Sequence, residues 1–594
     1  VIQFPRPNRQ KSTIVRRAPS GGLNEQADPL NLKPNEAEKI INMLVSADGV
    51  AKTRLGSLTI FETDSGENST SCVDFGTNEV IFHTTDGTDG FVYRYNRETD
   101  TGEKIKTISG GTSKMSFNEF AGGDFMICWN SNAYFGVVHK TAKWQVMTGV
   151  SGTFNGGETV SWTGGSGVIV KKVGTTKLLL NITGANPTGT MTGAASGATG
   201  TASGDPYDYE TVSGTAIPQN IVASALLTTG ARTRLMGLSS SGILYWSKFY
   251  LFAASPYELP FLDWTVGDMN STDGGDFDLS QYGAGKSIAT KDSNIYCTFS
   301  RGVVALSHSY ENIVDLSIQQ KVEIVFEEKS SAAYLVKVIP TLGILFARDT
   351  GISLLTITDF GKKEYDFTYN FGEEKISELN FENADILFDG KSLVLISCSE
   401  GESGRNNSFF AYDTQKKAFF EFDGLTISSL CRIGNDIYGT DSFSGNLKKL
   451  FSGNTDDNSE IKWKIRFAKE DFGGRNEVKK NVNVWLEGNF QYPTNLEMVV
   501  DVWGKKGEER LSDKTLTYST AGKTEAIIPL VGAPHLLYSD DKKTSVILQT
   551  KMRIRNFTKF QAEVIGTGVV EIHSLAYDAV AKGKTVKNNN LSKI

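Results

Sequence analysis

The sequence predicts an all-β protein: a β-propeller of about seven blades with a small inserted β domain and a C-terminal β-sandwich. Three observations carry this. Short apolar runs alternate with Gly, Asn, Asp and Ser turns, stretches of helical periodicity are scarce, and the 594 residues include 60 Gly and 34 Phe. From about Ser57 onward a unit recurs in which an apolar strand, a polar turn and a second strand rich in Tyr, Phe or Trp follow one another. Four short strands at a period of roughly 40 to 50 residues are the signature of propeller blades, and residues 57–148 and 217–455 together hold about seven such periods, with six and eight inside the range. The hairpins are contiguous, which favours one propeller over a string of sandwich modules.

Taken in order, residues 1–56 read as an extended N-terminal docking arm: Gly21-Gly22, two prolines, a stretch long enough for a helical turn or two, an Asp48-Gly49 turn and a basic exit at Lys52 and Arg54. Residues 57–148 form the first part of the propeller, with strand pairs such as EVIFHTTDGTDGFVYRYN (79–96). The alternation in Ile295-Tyr296-Cys297-Thr298-Phe299 is that of a half-buried strand. Residues 149–216 break the pattern with a Gly- and Thr-rich composition. Val168-Ile169-Val170 and Lys177–Ile182 are strand-like, so an inserted barrel or sandwich is expected there rather than a linker. Residues 217–458 complete the propeller. From 459 to 580 the strands lengthen into an antiparallel sandwich, and 581–594 is a basic tail.

Charge is unevenly placed. Arg6, Arg9, Lys11, Arg16 and Arg17 near the start and Lys582, Lys584, Lys587 and Lys593 near the end have no acid among them. Setting those nine cations aside from a net charge of −7 leaves a body near −16, which argues against tight duplex binding. The cysteines, Cys72, Cys128, Cys297, Cys398 and Cys431, lie far apart without CxxC spacing and read as reduced core residues, as in a cytosolic folding compartment. No export signal and no apolar run of about 18 residues is visible, so no membrane span is expected.

Searches for chemistry end in structural readings. Tyr282-Gly283-Ala284-Gly285-Lys286-Ser287 closes like a phosphate loop, but its first required Gly falls on Ser280 and the context is a strand. Asp273–Asp278 lacks the spacing of a calcium loop. The histidines, His83, His139, His308, His535 and His573, are isolated from one another and from carboxylate patterns, against a zinc site. No catalytic, cofactor or metal residue is assigned, and the chain is expected not to be an enzyme. Tyr245, Trp246, Tyr250, Tyr257 and Trp264 form a dense aromatic stretch, a candidate contact surface for a subunit or a glycan.

The order Gly21-Gly22-Leu23-Asn24, Asp28-Pro29, a Leu/Glu-rich stretch, Asn42, a Gly turn and Lys52-x-Arg54-x-Gly56 resembles the N-terminal signature of tail nozzle and tail hub proteins of short-tailed bacteriophages, the tail tubular protein B-like family. Residues 551–579 resemble the closing strands of the same proteins. The resemblance implies a virion structural protein of the phage tail, made in the host cytoplasm, without catalysis. It implies a homohexameric ring around the DNA channel that retains the genome and passes it at ejection without sequence-specific binding, and that contacts the tail adaptor and fibres. On that pattern Gly21, Gly22, Leu23, Asn24, Pro29, Asn31, Asn42, Gly49, Lys52, Arg54 and Gly56 shape the arm that docks on a neighbouring subunit or the adaptor. The alternative is a receptor- or glycan-binding propeller, with or without depolymerase activity; an ordinary cellular scaffold or lectin propeller would leave the arm unexplained.

Overall fold

The computed structural model describes residues 11–581 except 47, 121–124, 139–141, 208, 211–213, 230–231, 249, 252–261, 268–272, 293, 311–319, 330, 359–360, 473–478, 492–494, 504–509, 520–527, 531–532 and 536–542. Arg6, Arg9, His139, Tyr257 and the basic tail from 582 onward, all singled out in the sequence, lie outside the described residues.

Strands Asn68–Phe75, Glu79–Thr85, Asp89–Asn96 and Thr101–Ser109 pair antiparallel in chain order, forming blade 1. The same meander recurs from Gly285 to Glu328 (blade 4), from Ala333 to Asp366 (blade 5) and from Leu379 to Phe422 (blade 6). Blade 2 takes its fourth strand, Tyr209–Glu210, from beyond the insert, and blade 3 takes Gly275–Asp278 as its fourth. Blade 7, Ile427–Leu450, lacks a fourth strand of its own; Ser57–Phe61 supplies it by pairing with Leu447–Leu450. The first strands of the seven blades neighbour one another in sequence, and that of blade 7 lies against that of blade 1, so the ring closes around an axial bore. The seven-bladed propeller therefore follows from the topology.

The turns explain why the meander repeats. An Asp or Asn at the end of a strand accepts the backbone N–H groups two and three residues on: Asn96 from Glu98 and Thr99, Asn130 from Asn132 and Ala133, Asp413 from Gln415 and Lys416, Asp441 from Phe443 and Ser444. Each side chain thereby substitutes for the missing ladder bonds of a tight turn.

The middle strands of the blades are covered on both faces, which corrects the half-buried reading of 295–299. Ile295, Cys297 and Phe299 pack against blade 3, whereas Tyr296 joins Val336, Ile344 and Phe346 of blade 5. A polar residue within such a strand, Thr298, is consequently buried as well. The same face-to-face packing joins blade 7 to blade 1 through Tyr438, Leu447, Phe82 and Tyr95.

The insert is a closed six-stranded barrel running from Ala142 to Tyr207, with its own core of Met147, Val160, Ile169, Leu180 and Met191. The expected start at 149 is too late: Ala142–Ser151 is a barrel strand, although Trp144 at its base packs on Trp129 and Trp264 of the propeller. That shared contact gives the strand the texture of a blade strand in the sequence.

The largest correction concerns residues 11–56. Instead of extending as an arm, they are built into the C-terminal sandwich. Lys11–Arg17 pairs with Val570–Ala581 from Lys11↔Val580 to Arg17↔Ser574, and Ala51–Thr53 continues along the same edge at Ala51↔Ile572. In the second sheet Glu36–Ile41 pairs with Lys462–Phe467 and touches the outer strand of blade 6 at Ile41↔Glu421. Propeller and sandwich thus share one continuous sheet and one core, in which Ile40, Met43, Phe419, Trp463 and Leu575 are buried together. Edges of paired strands are open to any complementary strand, and here the chain's own N-terminal segment covers them.

Candidate functional site at the mouth of the bore

Most of the residues expected to dock on a partner are engaged within the chain. Gly22 has φ +72°, and a Cβ on it would lie 2.4 Å from the Phe419 carbonyl oxygen; one on Gly56 would lie 1.9 Å from that of Thr455. Both positions need glycine because backbone passes so close. Gly21 and Leu23 sit in the same crossing, and Asn24 donates to Glu36 while accepting from the Ala27 N–H. Asn42, at φ 56°, donates to the Lys462 carbonyl. Arg54, its side chain wholly buried, forks onto Asp456 at 3.0 and 2.5 Å and reaches Asn42 Oδ1 at 2.8 Å and the Asp423 carbonyl at 3.1 Å. Lys52 pairs with Glu571 at 3.2 Å but remains half exposed. Pro29 accepts from the Lys469 N–H, Asn31 is exposed, and Gly49 is part of the Ser46–Val50 turn. The segment is a clasp between propeller and sandwich.

The aromatic stretch divides in the same way. Trp264 stacks edge-on to Trp129 at 5.1 Å, and Trp246 lies in the core between blades 3 and 4. Tyr245 is half-buried against the neighbouring core, and Tyr250 belongs to a short strand on blade 3. The described members therefore do not form one stacking platform. Tyr282 is buried in a single 3-10 turn and Gly285–Lys291 is the inner strand of blade 4, so this stretch enters a blade and does not open a helix onto a phosphate. Asp273 and Asp263 pair with Lys248 at 3.5 and 2.9 Å. Burial pushes the thiols of Cys128, Cys297 and Cys398 up, away from reactivity.

What the fold assembles, and the sequence does not announce, is a polar site at the mouth of the bore. Inside it, Lys337 of blade 5 pairs with Asp385 of blade 6 at 3.1 Å, and Asp385 also accepts from Ser429 Oγ and the Leu430 N–H of blade 7. Burial opposes the charge on Asp385, but Lys337 and then Lys114 overcome it and hold the carboxyl below its ordinary range. Lys337 stays 39 % exposed although the inner strands surround it, so water enters the bore. Above this pair a cavity of about 240 Å³ opens among Asn68–Thr70, Lys114, Asn383, Arg405, Asn406 and Ser442. Asn68–Thr70 begins the inner strand of blade 1 and Lys114 precedes that of blade 2. Asn383 lies where the inner strand of blade 6 slips register, and Asn406 and Ser442 lie on equivalent loops of blades 6 and 7.

Lys114 is open to solvent, and partial desolvation at the mouth of the ring pushes its ammonium below its ordinary pKa, with Asp385 offsetting part of the effect. Asn406 is held by its amide nitrogen, which donates to the Asn383 and Ser428 carbonyls, while its Oδ1 and the Oγ of Ser442 are buried without a partner. Among the described residues no three His, Cys, Asp or Glu side chains gather as a metal-binding group, and no helix is long and apolar enough to cross a membrane.

No family model and no curated protein matches the chain. Among solved structures, a streptogramin B lyase is 9 % identical, covering 67 % of this chain and 97 % of its own at a TM-score of 0.34. A putative 6-phosphogluconolactonase from Bacteroides fragilis is 10 % identical (65 % and 93 %, TM-score 0.30), and the WD40 domain of SCAP from fission yeast 8 % (66 % and 94 %, TM-score 0.26). Such low scores carry no chemistry across, and the propeller rests on its own blade order.

Proposed function

We propose that the chain is a structural subunit of a bacteriophage tail, of the nozzle or hub kind. The reading starts from the signature between Gly21 and Gly56, and one observation supports it above the rest: that segment clamps the sandwich to blade 6 and to the closing strand, giving Gly21, Gly22, Gly56 and Arg54 a mechanical task. A wall subunit around pressurised DNA needs a body whose parts do not swing, and one sheet running from propeller into sandwich provides it. On this reading six copies form a ring below the adaptor, retain the genome, pass it at ejection and support the fibres. The acidic body lets DNA slide instead of adhering.

Quantitative mass spectrometry of gradient-purified virions of the source phage tests it. The expected stoichiometry is half that of a twelve-copy portal. Absence from the particle, or a multiple of three matching the fibres, would replace it with a glycan-binding propeller.

A further inference from the structure

We propose that Cys72 and Cys431 are a modification site, a thiol pair placed to form a disulfide that staples the last blade to the first, independent of any place in a virion. Cys72 lies on Asn68–Phe75, the inner strand of blade 1, and Cys431 on Ile427–Ile433, the inner strand of blade 7. The two strands lie side by side where the ring closes: the Cys72 N–H donates to Ser429 Oγ at 3.0 Å, and Ser428 Oγ donates to the Ser69 carbonyl at 2.9 Å. Side chains alternate along a strand, which fixes where each thiol points. Val73 and Phe75 pack toward blade 2, so Cys72 faces blade 7, and Cys431, in step with Ser429 and Ile433, faces blade 1. Both thiols accordingly meet in the core formed with Phe82, Tyr95 and Tyr438, where the Cys72 side chain comes within hydrogen-bonding reach of the Cys431 thiol.

The other cysteines have no such neighbour. Cys128, Cys297 and Cys398 lie one each in three other cores and are buried, whereas Cys72 is partly open on the strand that lines the bore. Thiol–disulfide exchange therefore enters at Cys72. Its thiolate attacks one sulfur of a small soluble disulfide such as glutathione disulfide, and the other sulfur leaves as a thiolate with the electron pair of the broken bond. Cys431 then gives up its proton to water and attacks the Cys72 sulfur, expelling the second thiolate. Two protein thiols are oxidised, one disulfide is reduced to two thiols, and no further oxidant is needed. Burial and the adjoining Cys72 push the Cys431 thiol up, so the second step is the slow one. Strand Ser57–Phe61 closes this seam by backbone pairing at the outer side of blade 7; the disulfide closes it at the bore. Nearly the whole propeller lies between the two cysteines in the sequence, and a crosslink across so long a loop takes the most freedom from the unfolded chain.

The test incubates the native full chain with glutathione disulfide at about pH 8, where thiolate is plentiful, then alkylates the remaining thiols and maps the unreduced digest by mass spectrometry. The expected product joins the peptides of Cys72 and Cys431, with Cys128, Cys297 and Cys398 alkylated only after denaturation. Its melting temperature should rise by about 2–5 °C and fall back when dithiothreitol is added. Cys72→Ser, a change at a partly open position, should melt with the reduced parent and gain nothing from the oxidant. The parent's peptide map stands by itself, so a folding defect in the variant leaves the test intact. A lasting glutathione adduct on Cys72 alone, unreacted thiols in the folded protein, or a crosslink without the rise in melting temperature overturns the proposal. None of these results bears on virion stoichiometry.

Discussion

Arg54 shows how a residue can be noticed for one reason and matter for another. In the sequence, Lys52-x-Arg54 is a basic exit suited to a neighbour's carboxylates; in the fold, the carboxylate is the chain's own Asp456, 402 residues away. Arg54 is wholly buried but Asp456 only partly, and Asp456 keeps the Ser57 hydroxyl as a donor, so Arg54→Ala should cost about 1.5–3 kcal/mol in urea unfolding. Arg54→Lys should recover only part of it, because an ammonium cannot fork onto Asp456 and reach Asn42 together. His83 supplies a pH-dependent counterpart. Fully buried between blades, with Nδ1 at 2.7 Å from Thr70 Oγ1, it is pushed by burial from the ordinary 6.5 down to about 4. The unfolded chain therefore binds the proton more readily. Its contribution is complete above pH 6.5 and drains as pH falls toward 4, by about 3 kcal/mol. The expected steep loss of stability across that window, and a shallower loss in His83→Gln, would appear in melting curves taken at half-unit pH steps.

At the scale of elements, what was legible depended on distance along the chain. Hairpins close within a few residues, so the blades, the approximate blade number and the strands of the insert could be read from apolar runs and Asx turns. The insert's boundary was misplaced because Trp144 faces a propeller core while its strand belongs to the barrel. The barrel's own stability has a local key. Glu158, buried, accepts from the N–H groups of Asn155, Ala195 and Ser196 and from Ser196 Oγ, tying two turns together, and these bonds hold its carboxyl below the ordinary range against burial. Glu158→Ala should leave three N–H groups unpaired and lower the barrel's local opening energy by about 2–3 kcal/mol. Hydrogen exchange should then accelerate in 142–207 and stay unchanged in blades 4 and 5; uniform acceleration would mean the barrel is not an independent unit.

For the whole molecule, the unread part lies in pairings between distant residues. Lys11↔Val580 spans nearly the entire chain, and no local pattern records it. The bore-mouth site has the same origin, since Lys114, Asn406 and Ser442 come from three blades and each alone is an unremarkable loop residue. One consequence is that deleting 1–56 is not the removal of an appendage. Truncation should expose the edges of Val570–Ala581 and Lys462–Phe467, raise dye binding to apolar surface and promote aggregation; a monomeric truncated protein with native melting would refute the clasp. The closure of the ring sets a clock as well. Ser57–Phe61 is made early, and its partner Leu447–Leu450 follows nearly 390 residues later. At ~5–20 residues per second the interval is about 20–80 s. Throughout it the ring is an open arc with two bare blade edges, so the tempo of translation, and whatever shields those edges meanwhile, governs the yield of closed rings.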